Sequence, residues 1–395
     1  MAEPLRIGIL AGEASGDNLA SGLMAALRRR LPVTQTVEFV GVGGDRMLSQ
    51  GLESLAPIGD LSVNGFREPL LRLPALLQLL RRLRNEMVER QVHAFVGVDF
   101  NVFNFLLEGA LKRRGIPTVH YVSPSVYAWR RGRTRRVGKV ADLLLCLFPF
   151  EPDFYAGEPL RAEFVGHPLA DAIDLDAGSP VARDAARDAM AIPHDAVCLA
   201  LLPGSRGSEV KLMLAEFLRA AELFHAAQPV HVVIPCPSAK LADLVRNELA
   251  STSLSCDVTV DENHARRALL ACDVALVKSG TSTLECMLLK RPMVVSYRLG
   301  GVTYQIVRRL IRSPYVALPN ILAQQALVPE LLQDAATAEN LSDALLGEWR
   351  SITTQADYLA SFAALHAQLR CDADGRAADA VLGLLDIGGT GVEAV

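Results

Sequence analysis

The stretch "GILAGEASGDNLASGLM", Gly8–Met24, runs from a short apolar strand through a glycine-rich turn into an amphipathic helix. A strand apolar on both faces, followed directly by a helix, is the repeating unit of a parallel sheet covered by helices on each side. The turn, Gly12–Asp17, carries two glycines, a serine and an acid near each end. Glycine lets a backbone come close to a ligand, and the free amides of a helix N-terminus favour anions. The spacing is GxxxG rather than GxGxxG, so the dinucleotide fingerprint is absent. A GxGG string occurs in "FVGVGGDRM", Phe39–Met47, but it follows the second strand, and no acid ends that strand to hold a ribose.

The same alternation continues outward. "RIGIL", "VEFVGV", "HAFVGV", "PTVHYV" and "DLLLCLF" read as buried strands, with helices predicted over 18–30, 70–90 and 103–114. A stretch rich in Asp, Ala and Pro, 171–196, interrupts the pattern. It restarts with "VCLALLPGS", "VHVVIPC", "CDVTV", "VALVKS" and "PMVVSY", separated by helices over 210–226, 238–250, 264–271 and 281–290. The fold class is therefore α/β, with two Rossmann-like domains. The first spans 1–175 and the second 196–336, and a helical segment follows over 337–385.

Of 395 residues, half are hydrophobic, enough for two cores. A net charge of −4 excludes a global polyanion binder, so no nucleic-acid partner is expected and any basic site must be local. Seven cysteines without a CxxC pair read as buried free thiols in a reducing compartment. Eight histidines without HxxxH or HxxH spacing give no metal signature. "MAEPLRIGIL" lacks the basic start of a signal peptide, and no apolar run reaches the length of a membrane span.

Two further turns carry chemistry. "LLPGSRGSEV", Leu201–Val210, sets Gly204, Ser205, Arg206 and Ser208 between a strand and a helix. "VKSGTSTLECML", Val277–Leu288, does the same with Ser279, Gly280, Thr281 and Thr283. Hydroxyls, amides and one arginine can grip a diphosphate without a metal or other cofactor. Glu285, one helical turn past Thr281, can take a pair of ribose hydroxyls. Ser and Thr also cap helices routinely. Two such loops on adjacent strands favour a nucleotide-sugar site.

Together with "HYVSPSVYAWR" (His120–Arg130), "VGHPLAD" (Val165–Asp171) and "LPN" (Leu318–Asn320), these turns resemble the lipid-A-disaccharide synthase family. The resemblance runs in order from residue 7 to about 385. It implies a GT-B glycosyltransferase fold and an inverting transfer of 2,3-diacylglucosamine. The donor would be UDP-2,3-diacylglucosamine and the nucleophile the 6-hydroxyl of 2,3-diacylglucosamine 1-phosphate. It also implies a peripheral place on the cytoplasmic face of the inner membrane of Gram-negative bacteria. Some members of the family dimerise, so a homodimer is one assembly the resemblance allows.

Residue by residue, the family pattern carries Glu209 and Asn320 to the donor side. It carries Gly12, Glu13, Ser15, Gly16 and Asp17 to the acceptor side, with Glu68 matching an acid of a pattern whose Met is Asn64 here. An alcohol nucleophile needs a base within hydrogen-bond reach. Asp99, in "FVGVDFNVFNF", ends a predicted strand and matches the family's proposed base. The family's following Pro-Asp is Asn101-Val102 here, whereas Phe103 and Asn104 match, and the resemblance carries Asn104 to the acceptor side of the cleft. Helix capping is the alternative role for Asp99.

On the lipid side, 66–91 places Leu73, Leu76, Leu77, Leu80, Leu83 and Met87 in one helical stripe bordered by Arg81, Arg82 and Arg84. A basic amphipathic helix with a wide apolar face can lie in a membrane interface, and it can equally be a core helix with a solvated rim. A second basic run, "WRRGRTRRVGK", Trp129–Lys139, could meet anionic lipid or the acceptor phosphate. Tyr127 and Trp129 could stack on a sugar or simply pack. The competing functions are another GT-B UDP-sugar transferase with a lipid-linked acceptor, and a non-catalytic membrane scaffold.

Overall fold

The computed structural model describes residues 3–61, 68–124, 132–300, 313–351 and 356–387, with only the backbone described at 68–72 and 356–358. The chain forms two compact units, Met1–Asp171 with Leu369–Val395, and Ala172–Gln368.

The first unit is a parallel sheet of β1 (Leu5–Ala11), β2 (Val37–Val42), β3 (Leu52–Ser54), β4 (Ala94–Val98), β5 (Thr118–Tyr121), β6 (Leu143–Cys146) and β7 (Arg161–Phe164). Their spatial order is β3-β2-β1-β4-β5-β6-β7, so it reverses between β1 and β4. Its helices are α1 (Ala14–Arg30), α2 (Asp45–Ser49), α3 (Glu68–Glu89), α4 (Asn101–Lys112), α5 (Gly132–Val140) and α6 (Pro168–Asp171). Successive residues of a strand point to opposite faces. Ile7, Ile9 and Ala11 join the core under α1, whereas Leu10 joins Phe95, Phe103, Leu83 and Met87 under α3 and α4. Both faces are covered, which is why these strands read as continuous apolar runs.

The second unit repeats the design with β8 (Val197–Leu202), β9 (Val230–Cys236), β10 (Asp257–Glu262), β11 (Val274–Lys278), β12 (Met293–Tyr297) and β13 (Glu330–Leu332). The order is β10-β9-β8-β11-β12-β13, all parallel, reversing between β8 and β11. Its helices include α7 (Pro180–Asp188), α8 (Gly207–Ala227), α9 (Ala239–Ser251), α10 (Ala265–Ala271) and α11 (Thr281–Leu288). All seven cysteines are free thiols, six of them buried. No helix among the described residues is long and apolar enough to cross a membrane.

Two stretches differ from the sequence reading. The segment 337–385 is not one element. The helix Ala338–Ser351 packs Leu341 and Leu345 into the core of the second unit beside α8. The helix Ala373–Leu384 lays Ala377, Ala378 and Val381 against the first unit, where α1 presents Leu23 and Leu27. Small alanines let the two helices approach closely, and that small-residue face is the reason the chain returns there. The interruption at 171–196 is equally structured. It contains α7, whose Arg187 is 1% exposed. The Arg187 guanidinium donates to the carbonyls of Ala271, His194 and Ala196 and to Asp273 Oδ2 at 2.7 Å. Asp273 Oδ2 also accepts the Cys198 amide at 2.8 Å, tying α7 to the first strand of the second sheet.

A buried charge stripped of its partner is strongly destabilising. Arg187→Met is expected to lower the stability of the second unit by about 3–5 kcal/mol. Trp349 packs edge-on against Phe224 of that unit, and in a Trp129→Phe background it is the sole tryptophan, so its emission in urea measures the loss.

Candidate active site

In an open parallel sheet, ligands bind beyond the carboxyl ends of the strands where the order reverses. In the first unit that place is defined by the β1–α1 turn and the β4–α4 turn. Gly12 is buried, and a Cβ there would fall 2.4 Å from the Phe100 ring. The glycine is required because the next strand's turn lies directly on it.

The β4–α4 turn is held in a costly conformation. Asp99 and Phe100 both have left-handed backbone, φ 48 and 45. Such residues cost of order 1–3 kcal/mol each and persist only where neighbours fix them. Here the Asp99 amide donates to the Tyr121 carbonyl at 2.8 Å, and Asn104 Nδ2 donates to the Asp99 carbonyl at 2.8 Å. The Asp99 side chain is thereby presented at the reversal, with its Oδ1 accepting from Asn101 Nδ2 at 3.2 Å. Behind it, His120 Nε2 lies 3.3 Å from Asn101 Oδ1 and His120 Nδ1 2.7 Å from Glu108 Oε1. Burial pushes the Glu108 carboxyl up, against the opposing charge and hydrogen bond of His120.

In the second unit the two hydroxyl-rich turns do sit side by side, because β8 and β11 are paired strands at the reversal. They line a hollow of about 380 Å³ with Ser205, Arg206, Glu209, Lys278, Gly280 and Thr281 among its walls. Ser208 is exposed at the first turn of α8, a 21-residue helix whose N-terminus opens on this loop. Gly280 has φ 152, a backbone that L side chains rarely adopt, and it caps α11. Lys278 was not singled out by the sequence reading. Its Nζ contacts Glu209 Oε1 at 3.0 Å and lies 4.9 Å from the Tyr297 ring centroid. A lysine as the last strand residue before a glycine turn was the signal available. Burial by itself would raise the Glu209 carboxyl. Its hydrogen bond to Lys278, the Lys278 charge and the Ser205 amide outweigh burial and hold it below the usual carboxylate range. Glu285 on α11 accepts at Oε1 from Arg266 Nε at 3.1 Å, which orients the carboxylate.

Several residues assigned to substrate contact turn out to bind the scaffold. Asp17 is 6% exposed and accepts three backbone amides, Gly44, Arg46 and Met47, at 2.8–3.1 Å. A carboxylate is the ideal acceptor at a helix N-terminus, so Asp17 anchors α2 rather than an acceptor sugar. Asn104 is fully buried and serves the Asp99 backbone, with a second bond to the Val98 carbonyl. Asn320, 1% exposed, spends its amide on Val328, Glu330 and Leu327. Thr283 is buried and bridges the Gly280 carbonyl and the Leu318 amide. Ser279 Oγ donates to the Val316 carbonyl. These five shape the turns from behind. Glu13 and Ser15 are exposed at the start of α1, and Gly16 is buried, with room for a Cβ blocked by Ala11 at 3.3 Å. The Glu68 side chain, Tyr127, Trp129, Arg130 and Arg131 lie outside the described residues.

The helix α3 is split along its length. Leu83 and Met87 are fully buried, and Leu76 and Leu80 pack partly buried against the same core. Leu73 and Leu77, 49% and 41% exposed, form the outward apolar edge, with Arg81 and Arg82 also exposed. The stripe read as one face is therefore mostly core, because residues i, i+4, i+7 and i+11 follow the face turned to the sheet. The basic run ends in α5, whose Thr134 and Val137 are buried while Arg133, Arg135, Arg136 and Lys139 are exposed.

Comparison with known proteins agrees with this geometry. The sequence pattern of the family described as lipid-A-disaccharide synthetase matches residues 7–381. The chain is 45% identical over 387 residues to the lipid-A-disaccharide synthase of Pseudomonas aeruginosa strain LESB58, covering 98% of this chain and 100% of that one. It is 44% identical over 382 residues to that of Salmonella typhimurium, covering 96% and 98%. Among solved structures, MurG of Acinetobacter baumannii superposes with a TM-score of 0.56 at 15% identity, covering 95% of this chain and 99% of that one. At that identity the likeness speaks for the fold, which is of the GT-B glycosyltransferase kind. A match of this length to one family, on two parallel sheets with glycine turns at both reversals, leaves one conclusion: the chain belongs to the lipid-A-disaccharide synthetase family.

Proposed function

We propose that the chain is an inverting hexosyltransferase that moves 2,3-diacylglucosamine from UDP to the 6-hydroxyl of 2,3-diacylglucosamine 1-phosphate. The products are the lipid A disaccharide 1-phosphate and UDP. The observation that carries this reading is the match of the family pattern across residues 7–381. The acceptor oxygen attacks C1 of the donor sugar while the bond from C1 to the UDP oxygen breaks. The hydroxyl proton passes to Asp99, and the departing electron pair stays on UDP. A leaving diphosphate needs charge stabilisation rather than a proton. Arg206 and Lys278, which line the hollow, and the N-terminal amides of α8 and α11 are the groups we assign to it. Glu285, oriented by Arg266, is the candidate for the ribose hydroxyls.

The acyl chains of both substrates call for a lipid surface. The outward edge of α3, Leu73 and Leu77 with Arg81 and Arg82, together with the basic face of α5, fits a peripheral contact with anionic lipid. We assign the chain to the cytoplasmic face of the inner membrane on this ground. A homodimer is compatible with the family and is not needed for the chemistry.

Asp99→Asn is expected to reduce acceptor-dependent UDP release about 10²–10⁴-fold with the donor KM little changed. Release at the wild-type rate would remove Asp99 from the mechanism. Lys278→Met removes one charge-assisted bond and is expected to weaken UDP binding about tenfold or more, read by calorimetry. Leu73→Glu with Leu77→Glu is expected to cut co-sedimentation with phosphatidylglycerol vesicles while leaving turnover of detergent-dispersed substrates within about twofold.

A further inference from the structure

Four side chains run in single file from the interior of the first unit to Asp99. Glu108 and His120 are fully buried, Asn101 is half-buried at the first position of α4, and Asp99 stands at the strand end. The contacts are 2.7 Å for Glu108 Oε1 to His120 Nδ1, 3.3 Å for His120 Nε2 to Asn101 Oδ1, and 3.2 Å for Asn101 Nδ2 to Asp99 Oδ1. Space for the first contact is cut into the sheet. A Cβ on Gly97 would lie 2.2 Å from Glu108 Oε1. Phe105 packs against the imidazole at 4.6 Å between centroids, the two rings tilted at 46°.

The direction of every hydrogen bond follows from the last one. An ionised carboxylate only accepts, so the Asn101 amide must turn its NH₂ to Asp99 and its oxygen to His120. That oxygen in turn requires a proton on Nε2. The 2.7 Å Nδ1–Oε1 contact requires one proton between its two atoms, so the Glu108–His120 pair is neutral overall whichever atom holds it.

We propose that Asn101, backed by His120 and Glu108, is a positioning residue that holds Asp99 Oδ1 and so turns Oδ2 toward the acceptor hydroxyl. The inference rests on the reading of Asp99 as base. Its physical content is orientation. A carboxylate on a short side chain rotates about its terminal bond, and one fixed donor on Oδ1 selects the rotamer. Proline, which has no side-chain donor, could not play this part at the first position of α4.

The test compares Asp99→Asn, Asn101→Ala, Asn101→Asp and the double variant His120→Gln/Asn101→Ala in the UDP-release assay. Folding is checked by circular dichroism. Asn101→Ala is expected to lower kcat about tenfold with both KM values within about twofold. Asn101→Asp places a second carboxylate against the base, so its acidic limb of kcat moves to higher pH, which a packing defect would not do. His120 and Tyr121 on β5, Glu108 and Lys112 on α4, Glu13 before α1, Asp17, Arg28, Arg29 and Arg30 on α1, and Arg6 on β1 are the titratable groups of the surrounding elements, and all are unchanged in that variant. His120→Gln/Asn101→Ala is expected to lose no more than Asn101→Ala alone, since His120 acts through Asn101. Wild-type kcat and pH profile in both Asn101 variants, with Asp99→Asn inactive, would overturn the positioning role and leave the base in place. A loss in the double variant clearly greater than that of Asn101→Ala alone would overturn the action of His120 through Asn101. Activity retained in Asp99→Asn would overturn the base, and the positioning role with it.

Discussion

In a parallel sheet every strand delivers its carboxyl end to the same edge, and where the strand order reverses, the two flanking crossovers leave on opposite faces. That constraint places a Gly12 turn beside Asp99 in the first unit and the 204–209 loop beside 278–283 in the second. Neither pair is close in sequence. Only the crossover rule brings them together, and the buried, two-faced strands enforce it by leaving no other way to cover both sides of the sheet. The left-handed backbone at Asp99–Phe100 follows from the same arrangement. β4 must end beside β1 while α4 leaves on the face where Phe103 and Leu107 pack, and the chain turns that corner in two residues.

Much of this was legible because the long central strands are apolar at nearly every position. "RIGIL", "HAFVGV" and "VALVKS" announce themselves, and their order of appearance with intervening helices gives two Rossmann-like units. The strands that escape notice are β3, β7 and β13, three or four residues long at or beside sheet edges and partly exposed. An edge strand is covered on fewer sides, so its residues carry no hydrophobic run to read. Arg187 shows a different limit. An Arg in a stretch rich in Asp and Ala looks solvated, and only the fold reveals four carbonyls and a carboxylate converging on it.

The candidate site was half legible. Motif positions are found reliably in sequence, but a polar residue in a motif can face the ligand or hold the loop that does. Asp17, Asn104, Asn320 and Thr283 all took the second role, and burial is what separates them from Glu13, Ser15, Arg206 and Thr281, each exposed at a helix start. A buried amide or carboxylate must be satisfied by the protein itself. It therefore tends to be a builder of the turn. Lys278 went the other way. It reads as the tail of a hydrophobic strand, and the structure turns it into the wall of an anion-sized hollow through its pairing with Glu209.

The Asn-Val after Asp99, where the resemblance implies Pro-Asp, can be understood as a trade between backbone and side-chain control. Proline at the first position of a helix pre-sets φ near its helical value and gives up an amide that has no helical partner anyway. It would stiffen the corner after Asp99–Phe100 without touching the carboxylate. Asparagine gives up that stiffness and gains a donor, and the donor is useful only if something fixes the amide's other end. His120 does so from β5, and Glu108 fixes His120 from α4, with Gly97 clearing the space. Val102, three-quarters exposed, lies outside this chain of contacts and offers no group to it. Control of the base in this chain therefore comes from the interior side, through a file of contacts that is neutral overall, rather than from a second carboxylate on the helix surface.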